Sequence, residues 1–149
     1  MKLHFVQENQ SLSNKGVLRG LHFQRKHSQG KLIYAVRGSF FDVAVDLRRY
    51  SRTFGRWYGI ILSAENKKEI YIPSGFAHGF LALEDNTIFL EKVAEYHDPN
   101  FSGGILWNDP DLNIEWPLRS LNGATLIQSE ADKTRKTLKQ ALKLDCLPI

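Results

Sequence analysis

Lys31-Leu32-Ile33-Tyr34-Ala35-Val36 and Phe40-Phe41-Asp42-Val43-Ala44-Val45-Asp46-Leu47 are two apolar runs parted by Arg37-Gly38-Ser39. Their apolar period is close to two, the repeat of a strand whose side chains alternate between two faces. In the second run Phe41, Val43, Val45 and Leu47 share one face, opposite Asp42, Ala44 and Asp46. The short glycine-containing link predicts a tight hairpin. Further strands are expected at 16–23, 54–62, 69–72, 79–83 and 87–93. Turn signals separate them: Ser63-Ala64-Glu65-Asn66, Pro73-Ser74-Gly75, Glu84-Asp85-Asn86 and Asp98-Pro99-Asn100. Many short strands, with no helical run before residue 129, predict an all-β sandwich or jelly roll. One helix is expected at about 130–143, with Ser129 as N-cap and Leu138, Ala141 and Leu142 as its apolar stripe.

The chain has 149 residues, which predicts one domain over 1–149 with enough length for a core. Apolar residues at 42 % and charged residues at 24 % are the balance of a folding chain, not a disordered one. No run of about 20 apolar residues suggests a membrane span. The start, Met1 to Asn9, reads as too short and polar for a signal peptide. A single cysteine, Cys146, excludes an internal disulfide and a cysteine-based zinc site. The expectation is a cytoplasmic protein without a metal. The formal charge is +4, and Lys133, Arg135, Lys136, Lys139 and Lys143 supply much of the basic excess. They read as the solvated face of the terminal helix, since no aromatic residues interleave as a nucleic-acid surface would require.

Two segments carry chemistry-bearing residues. The first is Gly16-Val17-Leu18-Arg19-Gly20-Leu21-His22-Phe23-Gln24, followed by Gln29-Gly30-Lys31. The second is Ile72-Pro73-Ser74-Gly75-Phe76-Ala77-His78-Gly79-Phe80. Its Pro-x-Gly-x-x-His pattern resembles that of cupins, in which a tight turn aims a histidine into the barrel mouth. Metal-binding cupins also carry a His-x-His pair and a glutamate. Here His22 stands alone and position 24 is Gln24, so no metal ligand set is expected.

In combination these segments resemble the dTDP-4-dehydrorhamnose 3,5-epimerase family. So do Phe41 to Arg48, Thr53-Phe54-Gly55, Leu62 to Asn66, and Trp107-Asn108-Asp109-Pro110-Asp111-Leu112 through Trp116-Pro117-Leu118. The resemblance implies a cupin-type jelly-roll β-barrel at about 3–118 with a short C-terminal helix. It also implies epimerisation of a nucleotide-linked 4-keto-6-deoxyhexose in deoxysugar biosynthesis. These enzymes remove a proton next to the C4 ketone and return it from the other face. By the resemblance His22 is the base, Asp132 its carboxylate partner and Lys31 the cation near the C4 oxygen. Arg19 matches a diphosphate-binding arginine, Gln7 and Asn9 match positions near nucleotide and sugar, and His78 matches a pocket histidine. No cofactor is implied, because the ketone itself acidifies the neighbouring protons. A homodimer is implied.

The chemistry suits those residue types. An imidazole takes and gives protons near neutral pH, and a carboxylate behind it fixes the tautomer. A lysine at an enolate oxygen stabilises charge that grows in the transition state. Bland readings stand beside these. Ser129-x-x-Asp132 is also a capping-box spacing. Strict alternation puts Arg19 and His22 on opposite faces unless Gly20 allows a bulge. His4 and His27 read as surface residues.

The chain departs from the family pattern in four ways. It starts directly at the strand holding Gln7 and Asn9, where relatives carry a further nucleotide-binding segment. Glu91 stands where the family has a catalytic tyrosine acid; if buried, its pKa is expected to rise so that it can donate a proton, with water as the alternative donor because Glu is shorter than Tyr, and an exposed salt-bridging glutamate as the bland reading. His97 replaces the second tyrosine of a pair, after Tyr96, and Ala131 replaces a basic residue before Asp132. These losses point to a C3-selective epimerase and leave the nucleotide base open. The alternatives are a non-catalytic sugar-nucleotide-binding cupin and a 3,4-ketoisomerase of related fold.

Overall fold

The computed structural model describes residues 4–149. The expected barrel start at residue 3 lies outside the described residues. The strands are β1 (Gln7–Ser13), β2 (Leu18–Gln24), β3 (Lys31–Arg37), β4 (Ser39–Asp46), β5 (Trp57–Ser63), β6 (Glu69–Ile72), β7 (Phe76–Ala82), β8 (Thr87–Val93) and β9 (Ser102–Gly104). They form two sheets of orders β1-β8-β3-β6 and β5-β4-β7-β2-β9, and every pair of neighbours is antiparallel. This is the jelly-roll barrel expected.

The period-two pattern holds along the strands. In β8, Thr87, Phe89, Glu91 and Val93 are buried and alternate with half-buried Ile88, Leu90 and Lys92. Between the sheets Ile33, Phe40, Ala44, Leu62, Ile72, Phe80 and Phe89 form one core. A second core lies on the other face of the five-stranded sheet. There Leu21, Phe23, Val43, Val45 and Ala77 are covered by Ile105, Leu112, Leu138, Ala141 and Leu147. Both faces of β4 are therefore buried, because the chain after β9 returns to roof its outer side.

Two expectations are corrected. The Arg37-Gly38-Ser39 link is not a hairpin, since β3 and β4 belong to different sheets. Gly38, at φ 71°, carries the chain across the barrel edge. A Cβ there would lie 2.5 Å from Thr87 Oγ1. The single helix at 130–143 is two short ones, α1 (Glu130–Lys133) and α2 (Leu138–Lys143). Thr137 caps α2 through a complete capping box with Gln140. Lys136 meanwhile bridges Ile105 in the manner of a strand. A helix cannot continue through a residue whose backbone is committed to a ladder. Leu138 and Ala141 are buried as expected, but Leu142 is exposed.

Candidate active site

His22 is placed by a bulge. The β2–β7 register shifts between Arg19 and His22, so that His22 pairs directly with His78. Gly20 sits at φ 122°, and a Cβ on it would lie 2.5 Å from Gly79 Cα. Two glycines thus let the backbones approach and re-aim the strand. After the bulge His22 lines a cleft of about 480 Å³ with Gln7, Asn9, Lys31, Glu91, His97 and Arg135. A larger hollow of about 600 Å³, around Arg48, Tyr50 and Ile149, holds none of the candidate catalytic or substrate-binding residues.

Asp132 stands behind His22. Its Oδ1 lies 2.6 Å from His22 Nε2, and its Oδ2 accepts from the Gly20 N–H at 3.3 Å. The carboxylate is almost fully enclosed, whereas the His22 side chain is 42 % exposed. Ser129 accepts the Asp132 N–H, which is half a capping box; the Asp132 carboxylate turns to His22 instead of closing it. Burial pushes the Asp132 carboxyl up, but His22, the Gly20 N–H and the Arg135 charge outweigh burial and hold it below its ordinary value. An ionised Asp132 accepts a proton on Nε2. The lone pair then sits on Nδ1, the arrangement of a general base.

Lys31 and Glu91 form the second pair. Lys31 Nζ donates to Glu91 Oε1 at 2.6 Å, and Asn9 Nδ2 donates to Oε2 at 3.3 Å. Gln7 in turn donates to Asn9 at 2.7 Å. Glu91 is buried, which meets the condition set for a raised pKa, but the pKa moves the other way. Burial does push its pKa up, yet the charges of Lys31 and His78 and the bonds from Lys31 and Asn9 win, and it is held below its ordinary value. These partners favour the carboxylate form of Glu91, which is unsuited to donating a proton.

His78 is placed differently from expectation. It is buried, with Nε2 2.8 Å from Asp42 and Nδ1 3.9 Å from Glu91 Oε1. It is absent from the cleft wall and stands behind Glu91. Arg19 is exposed and also lies outside that wall. Sequence reasoning missed Arg135, which reads with its basic neighbours as part of a solvated helix face; Gln24, Gln29 and Ser102 also line the cleft. His4 and His27 are exposed. Among the described residues no group of three or more His, Cys, Asp or Glu side chains is placed to hold a metal. No helix among them is long and apolar enough to cross a membrane.

A jelly roll with a histidine–carboxylate pair and a lysine in one cleft fits the class of cupin-like isomerases. Comparison with known proteins makes this particular. The family model described as dTDP-4-dehydrorhamnose 3,5-epimerase matches residues 1–140, and the chain belongs to that family. The enzyme of that name from Methanothermobacter thermautotrophicus is 52 % identical over 140 residues, covering 94 % of this chain and 75 % of the relative. A dTDP-6-deoxy-D-glucose-3,5-epimerase from Legionella pneumophila, solved with dTDP-4-keto-L-rhamnose, superposes with TM-score 0.91 at 45 % identity, covering 99 % of this chain and 76 % of that one. A 3'-monoepimerase from Streptomyces bikiniensis, solved with dTDP-quinovose, gives TM-score 0.88 at 33 % identity, covering 97 % and 71 %. The chain is similar both to enzymes named for two carbons and to one named for a single carbon.

Proposed function

We propose that this chain epimerises a dTDP-linked 4-keto-6-deoxyhexose, selectively at C3. His22 Nδ1 takes the C3 proton, the C3–H electron pair moves into the C3–C4 bond, and the C4 oxygen becomes an enolate oxygen. Lys31 stabilises that oxygen. A proton then returns to C3 from the opposite face while His22 gives its own to solvent. Glu91, ionised and paired to Lys31, leaves water as the donor on that face. The observation that carries the reading is the opening of the His22–Asp132 and Lys31–Glu91 pairs into one cleft.

Gln7 and Asn9 in the same wall meet the sugar or nucleotide. Arg19 takes the diphosphate, which suits an exposed guanidinium that makes no ion pair among the described residues. His78 supports Glu91 from behind. The proposed unit is one cupin-like epimerase domain over 1–149. A homodimer fits the open edges of β1 and β6 and the exposed Leu12 on β1. A cytoplasmic site of action fits a doubly charged diphosphate substrate, which does not cross membranes unaided.

The test is NMR of dTDP-4-keto-6-deoxyglucose incubated with the protein in deuterium oxide. Deuterium at C3 with inversion there, and much slower entry at C5, is the expected result. Equal entry at both carbons removes the C3 selectivity. No exchange at either, with binding intact, leaves a sugar-nucleotide-binding protein in place of an enzyme.

A further inference from the structure

Arg135 occupies the break between α1 and α2, which brings its side chain, still 28 % exposed, to the edge of the His22 cleft. Its Nε lies 3.5 Å from Asp132 Oδ1, the same oxygen that meets His22 Nε2 at 2.6 Å. That Nε is buried and has no hydrogen-bond partner among the described residues. The space it fills exists because residue 104 is glycine: a Cβ there would stand 2.7 Å from Nε and 2.9 Å from Cδ. The side chain borders the His22 cleft and the neighbouring one of about 390 Å³.

From this geometry we infer that Arg135 is a positioning residue for the His22–Asp132 pair, its charge partly balancing the carboxylate that holds the ring. The charges facing His22 make the case. On α1 there is Asp132. In the same cleft Lys31 on β3 and Glu91 on β8 compensate each other, His97 lines the wall with them, and His78 on β7 lies 3.9 Å from Glu91. Arg25 and Lys136 line the neighbouring cleft with Arg135; among the described residues Arg135 is the cation that lies within 4 Å of Asp132 besides His22 itself. An uncompensated Asp132 would favour the imidazolium, which cannot accept a proton.

The inference rests on His22 as base, so its test must survive failure of that reading. The His22 ring is titrated by NMR in the full chain, with His22→Ala identifying its signals, for wild type, Arg135→Gln and Arg135→Lys. Arg135→Gln is expected to raise the ring's titration midpoint by about half to one pH unit, a near charge partly screened by solvent. The acid limb of kcat/KM should move up by the same amount, with the high-pH plateau little changed, and Arg135→Lys should restore both. An unmoved midpoint overturns the inference. So does a raised KM at every pH with an unmoved limb, which would place Arg135 on the substrate's phosphates. The ring titration needs no turnover: a moved midpoint supports the Arg135 role even if wild type shows no exchange, a result that would defeat only the proposed function.

Discussion

Asp132→Asn changes one atom and should silence the site through the tautomer. The Gly20 N–H donates to Asp132 Oδ2 at 3.3 Å, so an asparagine here keeps its carbonyl oxygen on that side. Its NH₂ then occupies the place of Oδ1, 2.6 Å from His22 Nε2. An NH₂ cannot accept the Nε2 proton, so the ring must present a lone pair at Nε2 and carry its proton on Nδ1. The ring nitrogen not held by residue 132 becomes a donor. A positioned general base contributes about 10²–10⁴-fold, and a ring held in the wrong tautomer forfeits that contribution. Deuterium exchange at substrate C3, followed by NMR, should fall by about that factor in kcat while KM changes little. The backbone cap survives, because Ser129 still accepts the residue 132 N–H. Stability should therefore fall only modestly, checked by urea denaturation. A folded variant whose kcat stays within about threefold of wild type would refute the tautomer argument and with it the role of Nδ1.

Gly20→Ala places a Cβ at φ 122° and 2.5 Å from Gly79 Cα, backbone against backbone. It should lower stability by about 2–4 kcal/mol in denaturant titration and abolish exchange together with it. Acid should weaken the fold through Asp132 and Glu91. Both are held below their ordinary values when folded, so each contributes stability that is fully present above the unfolded carboxylate value of about 4 and is lost as pH falls through the folded one. Stability measured from pH 6 down to pH 3 should decline, and in Glu91→Gln the decline should be shallower, whereas an identical slope would contradict the linkage.

Strand placement was legible because large apolar side chains at every second position make one continuous face only on an extended backbone. Which strands pair was not. A glycine at positive φ serves a hairpin and a sheet-to-sheet crossing equally well, and Gly38 does the second. The site was legible where the chain places residues locally: His22 and Lys31 come from β2 and β3, and both line the cleft. Asp132 was ambiguous because Ser129-x-x-Asp132 serves a helix start or an active site, and only a contact across 110 positions decides between them. Arg135 could not be read at all. Its neighbours favour helix, and the break depends on distant partners: the bridge from Lys136 to Ile105, and Asp109 Oδ2 accepting the Leu138 N–H at 2.5 Å. Local preference lost to contacts that pattern reading does not see.

Glu91 shows the same override by distant partners. Burial alone argues for a neutral acid, and from sequence burial was the visible part. The structure adds Lys31 at 2.6 Å, Asn9 at 3.3 Å and His78 at 3.9 Å, and these favour the anion together. The consequence is reciprocal, since an ionised Glu91 also holds the Lys31 ammonium in the cleft wall. A substrate ketone seated there would meet a fixed cation, which aids enolate formation, but no positioned side-chain acid opposite His22, only water. Deprotonation is then well served and stereochemically controlled return of the proton is not. That imbalance suits a reaction completed at one carbon better than one repeated at two. It predicts that wash-in of solvent deuterium will run ahead of inversion, because some enolates take their proton back on the face they lost it from.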